Sequence, residues 1–182
     1  MAKSEIIRQK VLARLNSLTK PIGSLGYLEE IALKIALIQN RELPELPKNK
    51  KVYVFAGDHG IVTQGVSAYP KEVTYQMVFN FLRGGAGVNV FARHVGAEVF
   101  VVDAGVDYDF EDSPCLIKAK IGYGTRDFSI GPAMSMEEAQ RCIDYGREIA
   151  RQAISQGADL LAVGDMGIGN TTTATAIAVG FG

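Results

Sequence analysis

The chain has 182 residues, 47% of them hydrophobic and 21% charged, with a formal net charge of −1. That length supports one domain with a real core, and that charge gives no electrostatic footing for nucleic acid or an anionic membrane. The two cysteines, Cys115 and Cys142, fit neither a metal spacing nor a disulfide framework, no apolar run approaches a membrane span, and Met-Ala-Lys-Ser-Glu opens an amphipathic helix and not a signal peptide, so the expected home is the cytoplasm.

Ile6, Ile7, Val11, Leu12, Leu15 and Leu18 recur at helical spacing and predict a helix over 4–18. Pro21 and Gly23 stop it, and Ser24 is placed to cap a second helix over about 24–40, expected to bury Leu25, Leu28, Ile31, Ala32, Ile35 and Ile38. Lys20, between the two, reads as a solvated turn lysine. Residues 44–50, with Pro44 and Pro47, form a connector. A helical N-terminal arm (1–45) is therefore expected beside an α/β core (50–182).

Val52 to Ala56 is the first predicted strand. It empties into a polar loop over 57–70, at the carboxyl end of a strand, where open α/β sheets hold their ligands. Asp58 and His59 suggest either a metal or a hydrogen-bonded pair that shapes the loop; sequence neighbours chelate one ion poorly, and the other histidine, His94, falls on a predicted helix. Ser67 and Tyr69 suit contact with a flat ligand as well as turn backbone. A helix over 71–83 follows Pro70, with Val73, Met77, Val78, Phe81 and Leu82 as its core face and Gln76 on another side. Gly84 and Gly85 break it before a helix over 86–95. Ala97 to Asp103 is the second strand, and Leu116 to Ile121 reads as an extra strand or edge hairpin. Ser135 and Glu138 form a capping box for a helix to about Gln156, with Ala139, Ile143, Ile149, Ala150, Ala153 and Ile154 inward.

Leu160 to Val163 is expected as a buried third strand, and Ala174 to Val179 as a closely packed helix. Between them lies Gly164-Asp165-Met166-Gly167-Ile168-Gly169-Asn170-Thr171-Thr172-Thr173. Asn170 is the expected N-cap, with the threonines in the first turn. Glycines at a strand-to-helix turn let an anion approach the helix amides, which makes this a candidate phosphate site; an ordinary glycine turn capped by Asn fits the local sequence equally. It is not a Walker loop, lacking Gly-Lys-Ser/Thr, nor a dinucleotide fingerprint, lacking the third glycine. Helices alternating with three strands predict a wound, mostly parallel α/β sheet with flanking helices, its polar loops gathered on one edge. The sequence stops at Gly182, directly after this helix, and a chain truncated at its C-terminus is expected.

Five separated blocks occur in order: Thr19-Lys-Pro-Ile-Gly-Ser-Leu-Gly26; Ala56-Gly-Asp-His-Gly60; Gly65-Val-Ser-Ala-Tyr-Pro70 with Val73-Thr-Tyr-Gln-Met77; Gly124-Thr125 with Pro132-Ala-Met134; and Gly164 to Thr172. Together they resemble the nicotinate-nucleotide–dimethylbenzimidazole phosphoribosyltransferases. The resemblance implies transfer of phosphoribose from nicotinate mononucleotide to 5,6-dimethylbenzimidazole, giving α-ribazole phosphate and nicotinate in cobalamin lower-ligand biosynthesis, by a homodimer that uses no cofactor and no metal. It implies that Gly167, Gly169, Asn170, Thr171 and Thr172 bind phosphate or ribose, that Ser67, Tyr69 and Gln76 line the benzimidazole pocket, and that Asp165 is an assisting or orienting carboxylate. It assigns no step to Asp58 or His59. The family's catalytic glutamate, and a lysine that holds the nucleotide, lie in a C-terminal part with no counterpart here, so these residues alone are expected to be inactive. Two rival readings are a metal-dependent phosphohydrolase using Asp58, His59 and Asp103, and a non-catalytic mononucleotide-binding α/β fragment.

Overall fold

A computed structural model describes residues 2–182; Met1, where the expected amphipathic opening begins, lies outside the described residues. The chain forms two compact units, one ending at Pro47 and one beginning at Lys48.

The first unit is a pair of helices, α1 (Ala2–Ser17) and α2 (Tyr27–Gln39). Ile7 and Val11 are buried against Ala36, with Leu15, Leu33 and Leu37 packed around them. The α2 face is a correction. Leu25, Leu28, Ile31 and Ile38, expected inside, are exposed, as are Ile6, Leu12 and Leu18 around α1. Apolar residues occupy seven of the eight positions from Ile31 to Ile38, so they mark no single stripe, and the small Ala36 is where α1 fits closely. Ser24 does not cap α2 either. Gly26 holds the N-cap at φ 53, without a side-chain bond. Left-handed Asn40 closes the other end, where Arg41 N–H donates to Ala36 O at 3.0 Å. Lys20 is no solvated turn residue: its Nζ reaches Glu29 Oε1 at 2.8 Å.

The second unit runs β1 (Lys50–Gly57), a 3-10 turn (Gly60–Gln64), α3 (Val73–Leu82), α4 (Gly87–Val95), β2 (Ala97–Gly105), β3 (Leu116–Lys118), α5 (Met136–Ser155), β4 (Leu160–Met166) and α6 (Asn170–Phe181). The sheet order is β3-β2-β1-β4 and every pair is parallel. The ambiguous Leu116 segment is thus a parallel edge strand, and β4 is the fourth strand, not the third.

Strand alternation builds two layers. Val101 and Ala56 join Val78 of α3 on one face, while Val102 and Tyr53 join Ile149 and Ala153 of α5 on the other. Tyr53 stacks on Phe100 with centroids 5.3 Å apart. The buried line of α3 is Thr74 and Val78. On α5 the inward residues are Ile149 and Ala153; Ile143 and Ile154 are exposed, because each lies about a quarter-turn or more around the helix from that line.

The C-terminal elements also depart from expectation. Leu160, Leu161 and Val163 of β4 are exposed, and α6 buries no residue. β4 is a sheet edge paired only with β1, so apolar composition alone does not cover it.

Candidate functional site

Because the strands are parallel, the carboxyl ends of β1, β2 and β4 face one edge, and the backbone there is knitted together. The β1–β2 register shifts at Ala56/Gly57. Asp58 N–H then donates to Gly105 O at 3.0 Å, and Asp58 O accepts from Thr125 N–H at 3.0 Å. Gly60 N–H donates to Thr125 Oγ1 at 3.2 Å. These contacts draw the 121–134 segment over the strand ends and close a cavity of about 760 Å³, within the range of small-molecule sites. Its polar lining comes from Asp58, His59, Thr125, Arg126, Glu138, Asp165 and Thr173; Phe55, Phe128, Met134, Met166 and Ile177 are among its apolar walls.

The strand-to-helix turn sits against this cavity. A Cβ on Gly167 would overlap the Gly57 carbonyl oxygen and come within 2.8 Å of His59 Nε2, so only glycine lets the turn lie this close to β1. Gly169, at φ 87, is the N-cap of α6. Asn170 is therefore not the cap but the first helical residue. Its Nδ2 donates to Asp165 Oδ2 at 2.6 Å, tying the helix start back to the end of β4. Ile168 N–H donates to Thr74 Oγ1 at 3.1 Å, which joins the turn to α3.

Asp58 and His59 do not bond to each other as expected. Asp58 Oδ2 accepts from Asp107 N–H at 2.7 Å, and His59 Nδ1 lies 3.2 Å from Thr173 Oγ1. Burial pushes the His59 imidazole below its ordinary value, and the nearby Asp58 and Asp165 carboxylates pull it partly back. Arg126 Nη2 contacts Glu138 Oε2 at 3.0 Å, while Ser135 N–H donates to the same oxygen at 2.6 Å; these bonds hold Glu138 below the usual carboxylate range. Asp103 lies outside the cavity lining: it is buried, accepts from Val106 N–H at 2.9 Å and pairs with Lys120 at 3.2 Å. Among the described residues no group of three or more His, Cys, Asp or Glu side chains is arranged to hold a metal ion.

Of the residues singled out in the sequence, Asp58, His59 and Asp165 line the cavity, whereas Gly167, Gly169 and Asn170 are not part of its lining and lie between the lining residues Met166 and Thr173. Thr171 lies on the exposed side of the helix start and Thr172 is half-buried. Ser67 Oγ accepts from Tyr69 N–H at 3.2 Å within its own loop; Tyr69 is 66% exposed and Gln76 is exposed. Ser67, Tyr69 and Gln76 are not part of the cavity lining. Sequence reasoning missed Arg126 and Glu138 as lining residues and had Thr173 only as a hydroxyl of the candidate phosphate turn. The Ser135–Glu138 capping box marks where one of them is fixed, but nothing local ties it to a site.

Comparison with known proteins fits this geometry. A family model described as phosphoribosyltransferase matches residues 2–181. The chain belongs to this phosphoribosyltransferase family. Its relatives include the nicotinate-nucleotide–dimethylbenzimidazole phosphoribosyltransferase of Geotalea uraniireducens, 57% identical over 172 residues, which span 94% of this chain and 49% of the relative. The protein of that name from Thermus thermophilus is 56% identical over 164 residues, 90% of this chain and 49% of the relative. The crystal structure of CobT from Thermus thermophilus superposes with a TM-score of 0.87 at 53% identity, covering 94% of this chain and 51% of that one. The chain thus spans about half the length of the relatives it matches, and it shares the parallel sheet with flanking helices of the matched structure.

Proposed function

We propose that the chain builds the nucleotide side of a phosphoribosyl transfer from nicotinate mononucleotide to 5,6-dimethylbenzimidazole, the step that yields α-ribazole phosphate and nicotinate for the cobalamin lower ligand. The observation that carries this is a cavity of mononucleotide size at the carboxyl ends of parallel strands, in a chain of this family. The glycine turn and the start of α6 supply backbone donors and a partial positive charge for the phosphate. Thr171 and Thr172 add hydroxyls beside Gly167, Gly169 and Asn170. Asp165, fixed by Asn170, orients the sugar. Ser67, Tyr69 and Gln76 receive the benzimidazole, a reading supported by Val62 and Val66, whose side chains approach Gly169 from the same loop. A homodimer in the cytoplasm is part of the same proposal.

The chemistry sets two requirements. The departing nicotinate nitrogen is already cationic and needs no general acid. The incoming benzimidazole must lose its N–H proton to a base. Glu138 is a poor base, since its bonds to Arg126 and Ser135 stabilise the carboxylate. Asp58 and Asp165 each commit one oxygen to a donor of the chain. The 182-residue chain is therefore expected to hold the nucleotide without turning it over. The test is to incubate the purified chain with both substrates and follow α-ribazole phosphate, while measuring its melting temperature with nicotinate mononucleotide alone. A raised melting temperature without product is the expected result. Product formation would place a competent base within these residues, and no shift at all would remove the nucleotide reading.

A further inference from the structure

Charge is unevenly spread along the lining of the strand-end cavity. Three carboxylates line it, Asp58, Glu138 and Asp165, and Arg126 is the one lysine or arginine there. His59 lines it too, but burial favours the neutral imidazole. Among these side chains, an anionic group on a ligand is repelled by the carboxylates and attracted by Arg126.

The guanidinium is held in place. Nε donates to Pro132 O at 3.1 Å, and Nη2 donates to Glu138 Oε2 at 3.0 Å. Ser135 N–H donates to the same Glu138 oxygen at 2.6 Å, so the start of α5 anchors the carboxylate that anchors the arginine. The backbone is fixed as well. Arg126 N–H donates to Ala133 O at 2.8 Å, and Thr125 N–H donates to Asp58 O at 3.0 Å. These side-chain bonds occupy Nε and one Nη2 hydrogen; among the described residues no protein group bonds to Nη1. The Arg126 side chain is 58% exposed, so a ligand can reach it. A planar fork, oriented in advance and with its end open, matches a planar carboxylate.

Nicotinate mononucleotide carries two anionic groups, its phosphate and its ring carboxylate. The phosphate is read to the glycine turn, whose flanks Met166 and Thr173 line the same cavity as Arg126. The ring carboxylate then needs a partner of its own. We propose that Arg126 receives the ring carboxylate of nicotinate mononucleotide and makes the site select this acid over the corresponding amide, nicotinamide mononucleotide. This rests on the phosphoribosyl reading above. The amide has no charge, and its NH2 group offers donors to a guanidinium that can only donate. Arg126 is thus a specificity-determining residue.

Calorimetric titration of the 182-residue chain with nicotinate mononucleotide and with nicotinamide mononucleotide tests this, because the two differ only in that ring substituent. The parent chain is expected to bind the acid at least about tenfold more tightly, the scale of one hydrogen bond between charged groups. In Arg126→Gln that ratio falls to about twofold or less. The ratio is read within each variant. A role of Arg126 in holding the 125–134 loop, or in binding the phosphate, weakens both nucleotides alike and leaves it unchanged. Arg126→Met, which keeps an unbranched apolar stem, gives the same comparison if the glutamine variant does not fold. Equal binding of acid and amide by the parent, or a ratio unchanged in the variants, overturns the role of Arg126 and leaves the nucleotide reading standing. No binding of either nucleotide to the parent overturns both.

Discussion

Single residues decide how closely the backbone can be folded around the cavity. Gly167 is the tightest case, since any side chain there meets the Gly57 carbonyl and the His59 ring. Gly167→Ala is expected to cost about 1–3 kcal/mol by overpacking and to abolish the rise in melting temperature with nicotinate mononucleotide; an alanine variant that still responds would show that the turn is not part of the site. His59 makes the stability depend on pH. Its folded pKa lies below the ordinary 6.5, so the unfolded chain takes up this proton first as the pH falls. The contribution is complete above 6.5 and is lost as the pH drops through the folded pKa. The melting temperature should therefore decline as the pH falls below the ordinary 6.5, and His59→Gln should flatten that decline. The carboxylates held low, Glu29, Asp112, Asp127 and Glu138, act in a separate window below their ordinary 3.8 to 4.5. A parent chain whose melting temperature is level across the upper window would contradict the buried, neutral histidine.

Among the elements, burial separates strands that look alike in sequence. Val102 in β2 is fully buried between Tyr53 and α5, whereas Val163 in β4 is 77% exposed. Val102→Ala is expected to cost about 2 kcal/mol and Val163→Ala within about 0.5 kcal/mol, both read from denaturant midpoints. Equal costs would mean that β4 is covered in solution. The same pair marks where the sequence is legible. Short apolar runs, glycine breaks and the Ser135–Glu138 box reveal strands, helices and one helix start, because each signal is local. Val163 and Ile177 read as core because their chemistry prefers burial, yet what lies over them is a property of the assembled sheet. The near-continuous apolar run in α2 hides its true face for the same reason. At the site, the glycine turn is visible because its backbone needs are written in residue types. The Arg126–Glu138 contact and the His59–Thr173 contact span 12 and 114 positions, and only the fold brings those partners together.

At the scale of the whole molecule, parallel pairing of β3, β2, β1 and β4 sends every strand's carboxyl end to one edge. Loops that are distant in sequence meet there, and with a net charge of −1 the proposed phosphate site draws on local backbone donors, not on overall charge. No described helix is long and apolar enough to cross a membrane. The central claim is that the strand-end cavity and its glycine turn hold the nucleotide. Nuclear magnetic resonance of the isotopically labelled 19.6 kDa chain tests this most directly, by following each backbone amide as nicotinate mononucleotide is added. The amides of Gly57 to His59, Gly105, Gly122 to Thr125 and Gly167 to Thr173 should move together with one dissociation constant. Shifts confined to the outer face of α5, or no shifts at saturating nucleotide, would contradict the claim.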